Sequence, residues 1–290
     1  MPDERSALAL KSALREQRML VLRSALDKRM AVAGFAIMTV IVLLAVLAPV
    51  LAPAGPYEIN PLDRLLPPSS KHWFGTDALG RDLLSRTLYG LRISLAVGGS
   101  TALASSALGL LLGLLSGYFS FAENIIMRIC EGMMAIPPML LAIALVAALG
   151  STSFNVFLSL SVAYMPLVAR VARSSTLSVR EQTYIEAIKS QGASWARVLF
   201  GHIAPNVMSP IIVQTTYIFA SAIIIEAALS FLGAGVPPPA PSLGNVLYDA
   251  KSVIFSAWWT TVLPGIVMML TVLGLNILGD GIRDVMDPAG

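Results

Sequence analysis

Apolar residues run in six long blocks along this chain. They span Ala31 to Ala52, Arg92 to Tyr118, about Cys130 to Leu149, Phe154 to about Ala172, Val207 to Leu232, and Trp258 to Gly279. A helix rises 1.5 Å per residue, so about 20 apolar residues cross a hydrocarbon core of ~30 Å. Six blocks near that length predict an all-α membrane protein with six transmembrane helices. In lipid every backbone N–H and C=O must be satisfied within its own segment, which a helix achieves and an open strand does not.

Finer patterns sit inside the blocks. In the second, Thr101, Ser105, Gly109, Gly113 and Gly117 recur every four residues on one helix face. Small side chains at that spacing let two helices approach closely where packing drives association. A packing interface is the simpler reading of this face, and a groove for a transported molecule the sharper one. Pro137-Pro138 remove two backbone donors near one end of the third block and predict a kink. Pro166 falls inside the fourth, and a Trp258-Trp259 pair opens the sixth at the expected membrane–water interface.

The polar stretches between blocks predict the connections. Residues 1–30 mix seven Lys/Arg with Leu, Ala and Met, as in an amphipathic helix lying on a membrane face. The apolar run that follows is longer than the 7–15-residue core of a signal peptide, which argues for a retained span. Residues 53–91 hold a polar outer segment, in which Thr76 or Asp77 is positioned to cap a short helix running to about Tyr89. Glu123 to Glu131 reads as a short turn with Arg128 and Glu131 at pairing distance, i and i+3. Gly150 to Ser153 is a tight turn, residues 233–257 form a proline-rich loop, and 280–290 a short polar tail.

Between the fourth and fifth blocks, Glu181 to Pro210 is the one long polar run in the second half. Tyr184 to Ser190 has helical composition, Gly192 breaks it, Trp195 to Gly201 resumes it and Pro205 is expected to stop it. Gly192 takes a positive φ without a Cβ clash, so the run predicts a helix–turn–helix.

Composition and charge place these elements. Hydrophobic residues make up 56% and charged residues 13%, with a mean hydropathy of +0.75. A soluble domain carries nearer ~25% charge. The net charge of +3 is small and the basic residues lie at membrane edges, a pattern of topology and not of nucleic-acid binding. Segments 1–30, 119–131, 170–206 and 280–290 carry fourteen Lys/Arg, against five in 53–91, 151–153 and 233–257. The positive-inside rule therefore puts both termini and the 181–206 loop in the cytoplasm. The lone Cys130 is expected at the start of the third helix as an inert packing residue.

Candidate chemistry is sparse. The spans hold essentially one acid, Glu226, near the outer end of the fifth. An intramembrane acid is a candidate for the translocation pathway, and equally a buried structural carboxylate. Asn276 in the sixth span poses the same choice. His72 stands near Asp77 and Asp82 with no second His at ligand spacing, which does not make a metal site. The chain has no G-x-x-x-x-G-K-[ST] and no Gly-Lys dipeptide, hence no phosphate cradle. A secondary transporter would show repeats and paired ionisable residues at mid-membrane, and a membrane enzyme clustered His, Asp or Glu.

The residues Glu186-Ala187, Gly192 and Pro205 resemble the EAA loop of ABC importer permeases, with Glu-Ala-Ile in place of Glu-Ala-Ala. Four more strings resemble the peptide/nickel group of those permeases: His72 to Gly90, Ser221 to Pro239, the PSLGNVL that follows, and Leu263 to Pro288. The resemblance covers roughly 30–288. It implies a type I importer permease, with 1–30 a cytoplasmic segment, 31–52 the first span and 53–91 periplasmic. It further implies a five-helix core at 92–280 with its coupling loop at 181–206, then a cytoplasmic tail at 281–290. It also implies a bacterial inner-membrane location, a homologous second permease, two ATPase subunits that bind ATP and Mg, and an extracytoplasmic solute-binding protein. The chain itself would hold no cofactor. Glu186, Ala187, Gly192 and Pro205 are the expected ATPase-coupling residues. Cargo in this group ranges over di- and oligopeptides, glutathione, nickel complexes and opines.

Overall fold

The computed structural model describes residues 28–286. The amphipathic helix expected in 1–30 lies almost wholly outside the described residues. The first span is helix α1, Arg29–Val46, extended by the short α2, Ala48–Leu51.

Helix α3, Leu83–Tyr118, fuses two elements that the sequence separates. The outer helix expected from Thr76 or Asp77 begins instead at Leu83, capped by Asp82, which accepts from Ser85 N at 2.8 Å. Thr76 Oγ1 is engaged by Leu66 N, and Asp77 accepts from Leu79 N and Arg81 N around a turn at Gly80, φ +75°. No proline interrupts the chain after Leu83, so the helix continues through Arg92 into the membrane for 36 residues. At 1.5 Å per residue that is about 54 Å, far longer than the hydrocarbon core.

The third span departs furthest from expectation. Helix α4, Ser120–Met134, and helix α5, Pro138–Leu149, meet at 93°. Pro137 biases Ile136 out of the helical region, and the two prolines remove successive donors, so the kink becomes a break. Cys130 therefore lies buried inside α4 beside Met127 and Ala169, not at a helix start. Arg128 and Glu131 both face outward, and the ion pair of this stretch joins Glu123 to Arg173 instead.

Helix α6, Ser153–Arg180, is capped by Thr152, which accepts from Asn155 N, and runs on past Ala172 to the polar loop. There α7, Thr183–Ser190, is followed by Gly192 at φ +82° and a widened π-helical turn, Arg197–Ile203. Helix α8, Ala204–Phe231, follows without a break, so Pro205 does not stop the helix. It sits in the first turn of α8, where its missing N–H costs little.

The proline-rich loop contains α9, Leu243–Ala250, capped by Ser242. Helix α10, Trp259–Met286, absorbs most of the expected polar tail, because Gly281 seats on Ala31 and Asp280 accepts from Tyr217 Oη. The tryptophan pair divides: Trp258 is exposed, whereas Trp259 is buried with Nε1 3.4 Å from Thr76 O.

Among the described residues, five helices are long and apolar enough to cross a membrane, and the bent α4–α5 pair makes six if it crosses as one broken span. The main core joins α3, α5, α6, the π turn and α8; a second joins α1, α3, α8 and α10. At the α1–α10 seam a Cβ on Gly34 would stand 2.5 Å from Leu278 N, so the backbones nearly touch. One end of the bundle carries α7, the other α9.

Candidate functional site

Helix α7 is held to the bundle chiefly by Ile185, with the half-buried Ile188 beside it on the main core. Ile185 is fully buried, whereas Glu186, Ala187 and Gly192 are exposed, with Pro205 beside them on the same end. The Gly192 N–H donates to Lys189 O at 2.9 Å, closing the turn, and a Cβ there would meet no atom within 4 Å. The glycine is needed for its positive φ, since an L side chain costs roughly 1–2 kcal/mol in that conformation. What results is a short helix with an acid and a small residue facing outward on a glycine hinge.

The glycine face of α3 meets α6. A Cβ on Gly109 would stand 2.5 Å from Val168 Cβ, and one on Gly117 would stand 2.6 Å from Thr176 Cβ. At Gly113 it would press into Ala172 Cβ and stand 2.6 Å from Ala169 O. Thr101 and Ser105 are fully buried on the same helix.

Glu226 is fully buried on α8, at the α9 end. Its Oε2 accepts from Ser94 Oγ of α3 at 2.9 Å and its Oε1 from Ser230 Oγ at 2.8 Å. Ser94 Oγ in turn accepts from Leu243 N of α9, and Ser230 Oγ from Val236 N of the proline-rich loop. Asn245 Nδ2 donates to Val236 O and Ala240 O, closing the knot. Asn276 is half-buried on α10 and takes no part in it.

Residues 107–289 match the family of binding-protein-dependent transport system inner membrane components, and residues 17–68 match the N-terminal transmembrane domain of oligopeptide transport permease C. The chain belongs to the binding-protein-dependent ABC permeases. It is 44% identical over 261 residues to the dipeptide transport system permease protein DppC of Alkalihalophilus pseudofirmus, covering 90% of this chain and 86% of that protein. It is 42% identical to the di/tripeptide transport system permease protein DppC of Pseudomonas aeruginosa, covering 89% and 88%. The glutathione transport system permease protein GsiD of Pectobacterium atrosepticum is also 42% identical, covering 92% and 89%. The fold matches a chain of the inward-facing MetNI methionine ABC transporter with a TM-score of 0.58 at 19% identity, covering 70% of this chain and 96% of that one. The permease is thus a multi-pass inner-membrane protein with the type I importer fold.

Two parts of the permease escape a reading of its sequence. At the α9 end, Arg81 and Arg86 converge on one oxygen of Asp249, at 2.8 and 3.0 Å, and Asp77 stands 2.6 Å from Arg81 Nε. Beside them His72 Nδ1 lies 2.9 Å from Asp82 Oδ1, and the hydrogen bond from Lys71 holds the Asp63 carboxyl below its ordinary range. At the α7 end, Arg173 binds Glu123 of α4, and Arg180 Nη1 donates to Gly117 O and Tyr118 O, both at 3.1 Å. The signal available for Arg180 was its place as the last basic residue before the loop.

Proposed function

We propose that this chain is the permease subunit of an ATP-driven importer for small peptides, taking them from an extracytoplasmic binding protein into the cytoplasm. The family and the peptide-transport names of relatives above 40% identity support the cargo class. That one relative is a glutathione permease fits the same class, since glutathione is itself a small peptide-like solute. The fourteen-to-five bias of Lys/Arg orients the α7 end toward the cytoplasm. On this reading a homologous second permease pairs with this chain, and two ATPase subunits, which bind ATP and Mg, dock from below. This chain does no chemistry of its own.

The observation that carries the reading is α7, presenting Glu186 and Ala187 outward before the Gly192 turn while Ile185 is buried in the main core. An exposed acid suits an Arg or Lys of an ATPase, and a small neighbour lets the helix press into a cleft. Gly109, Gly113 and Gly117 serve helix packing. Glu226 serves the fold, because both its oxygens are engaged, and Asn276 is left as the pathway candidate. The test is to purify the complex carrying Glu186→Lys or Gly192→Asp and measure ATPase retention, binding-protein-stimulated ATP turnover and uptake. Loss of docking and uptake with normal permease abundance is expected; wild-type values in both variants would reduce the loop to a connector.

A further inference from the structure

The coupling loop enters the main core through Ile185, Val198, Leu199 and Ile203, and it makes polar and aromatic contacts with the bundle at one further corner. Helix α3 ends at Tyr118, α4 begins at Ser120, and Phe119 lies between. Three groups of the loop region converge there. Arg180, the last residue of α6, donates to Gly117 O and Tyr118 O, the free carbonyls that end α3. Lys189, in the last turn of α7, places its ammonium 5.4 Å from the Tyr118 ring centroid. Trp195, beyond Gly192, meets Phe119 edge-to-face at 5.5 Å.

Each contact has a physical basis. A helix C-terminus carries partial negative charge and unpaired carbonyls, which a guanidinium satisfies twice. An ammonium within about 6 Å of a tyrosine ring gains the cation–π attraction. Edge-to-face rings at that separation add a further preference for one geometry. On the other side of the corner, Arg173 of α6 binds Glu123 in the first turn of α4. Two arginines of one helix thus hold the end of α3 and the start of α4.

We propose that the Tyr118–Phe119 corner receives the movement of the coupling loop, with Arg180 as the positioning residue that makes loop and corner one body. Helix α4 leaves this corner and turns through 93° into α5. A push on α7 therefore reaches α4 and the broken span through the corner. Ile185 and the half-buried Ile188 seat α7 on the main core, and the corner is a second path beside that apolar one. The inference rests on the coupling role proposed above.

The experiment uses the whole transporter in proteoliposomes: both permeases, both ATPases and the binding protein, with a defined pool of synthetic di- and tripeptides as cargo. Arg180→Gln should leave the complex assembled and able to hydrolyse ATP. Peptide imported per ATP should fall by at least about fivefold, the low end of an allosteric coupling. Arg180→Lys, which keeps the charge, should recover part of the loss; a merely structural role would not move this ratio.

A second arm does not depend on Arg180. Phe119→Cys with Trp195→Cys, in a Cys130→Ala background, is bridged by a short dithiol-reactive linker; Phe119 and Trp195 are 37% and 51% exposed, and Cys130 is the only native cysteine. If corner and loop move together, the bridged transporter keeps its stimulated turnover and uptake. Loss of both on bridging, or a wild-type import ratio in Arg180→Gln, overturns the inference. Those failures, with Glu186→Lys still uncoupled, remove this inference alone. Wild-type behaviour of Glu186→Lys and Gly192→Asp removes the coupling role beneath it.

Discussion

Ser94 Oγ donates to Glu226 Oε2 at 2.9 Å, joining α3 to α8 across 132 positions of sequence. The same hydroxyl accepts from Leu243 N, so one serine ties two spans to α9. Ser230 plays the matching part on the other carboxylate oxygen, donating to it while accepting from Val236 N. Both hydroxyl protons are therefore directed at Glu226 and both hydroxyl lone pairs at backbone donors. Only a group that accepts on both sides satisfies this arrangement fully.

Glu226→Gln should accordingly be tolerated better than Glu226→Ala. The amide keeps one acceptor and turns a donor toward the other serine, which must rotate its proton. Alanine leaves two hydroxyl donors without an acceptor, at about 1–3 kcal/mol each, and opens a cavity besides. Thermal unfolding of the purified complex should rank wild type above Gln and Gln above Ala. Equal stability of all three with loss of uptake would assign the acid to the pathway instead.

Five of the six expected spans were legible as long helices because lipid demands long apolar runs, and such runs are visible in any sequence; the third is divided between α4 and α5. The helix ends were not. Leu83–Arg92 and Arg173–Arg180 continue helices as polar segments, and a polar helical turn reads like a loop when its partners are far away in sequence. Arg180 is the clearest case, since its partners are backbone carbonyls 62 and 63 positions earlier and no side-chain pattern marks a carbonyl. Pro205 misled for a related reason: proline breaks an α-helix interior, but here a π turn precedes it and moves it into a first turn. The glycine face of α3 was readable because its period matches the helix. That its neighbour is α6 was not.

Gly113→Ala should destabilise the permease although alanine favours helix. The added methyl presses on Ala172 Cβ and would stand 2.9 Å from Arg173 N, and a backbone neighbour cannot swing aside. Overpacking of this kind costs typically ~1–3 kcal/mol. Gly132→Ala is the internal control: a Cβ there has nothing within 4 Å in this chain, and the helix gains about 1 kcal/mol of propensity. Detergent-extracted yield and melting temperature of each variant should fall for Gly113→Ala and not for Gly132→Ala. A Gly113→Ala permease as stable as wild type would mean that α3 and α6 are not in backbone contact at this glycine.

The last prediction concerns the charges at the α9 end. Arg81 and Arg86 face Asp77 and Asp249, two cations against two anions, with the Arg86 side chain only 3% exposed and that of Asp249 37%. Removing Asp249 leaves one cation in excess among groups largely shut off from water. Breaking a fully buried pair costs about 3–5 kcal/mol, and the partial exposure of Asp249 brings the figure down to about 1–3 kcal/mol. Asp249→Asn should therefore lower the melting temperature, and added salt should recover part of the loss by screening the surplus charge. Arg81→Gln in the Asp249→Asn background restores the balance, because Asp77 then faces Arg86 alone, with Nε 3.6 Å away. The double variant should melt above Asp249→Asn, although it lacks one more native contact. That reversal separates charge balance from contact counting: if each change simply removes a hydrogen bond, the double variant melts lowest of all. Melting curves of the four permeases, wild type, both single variants and the double, at low and high ionic strength, complete the cycle.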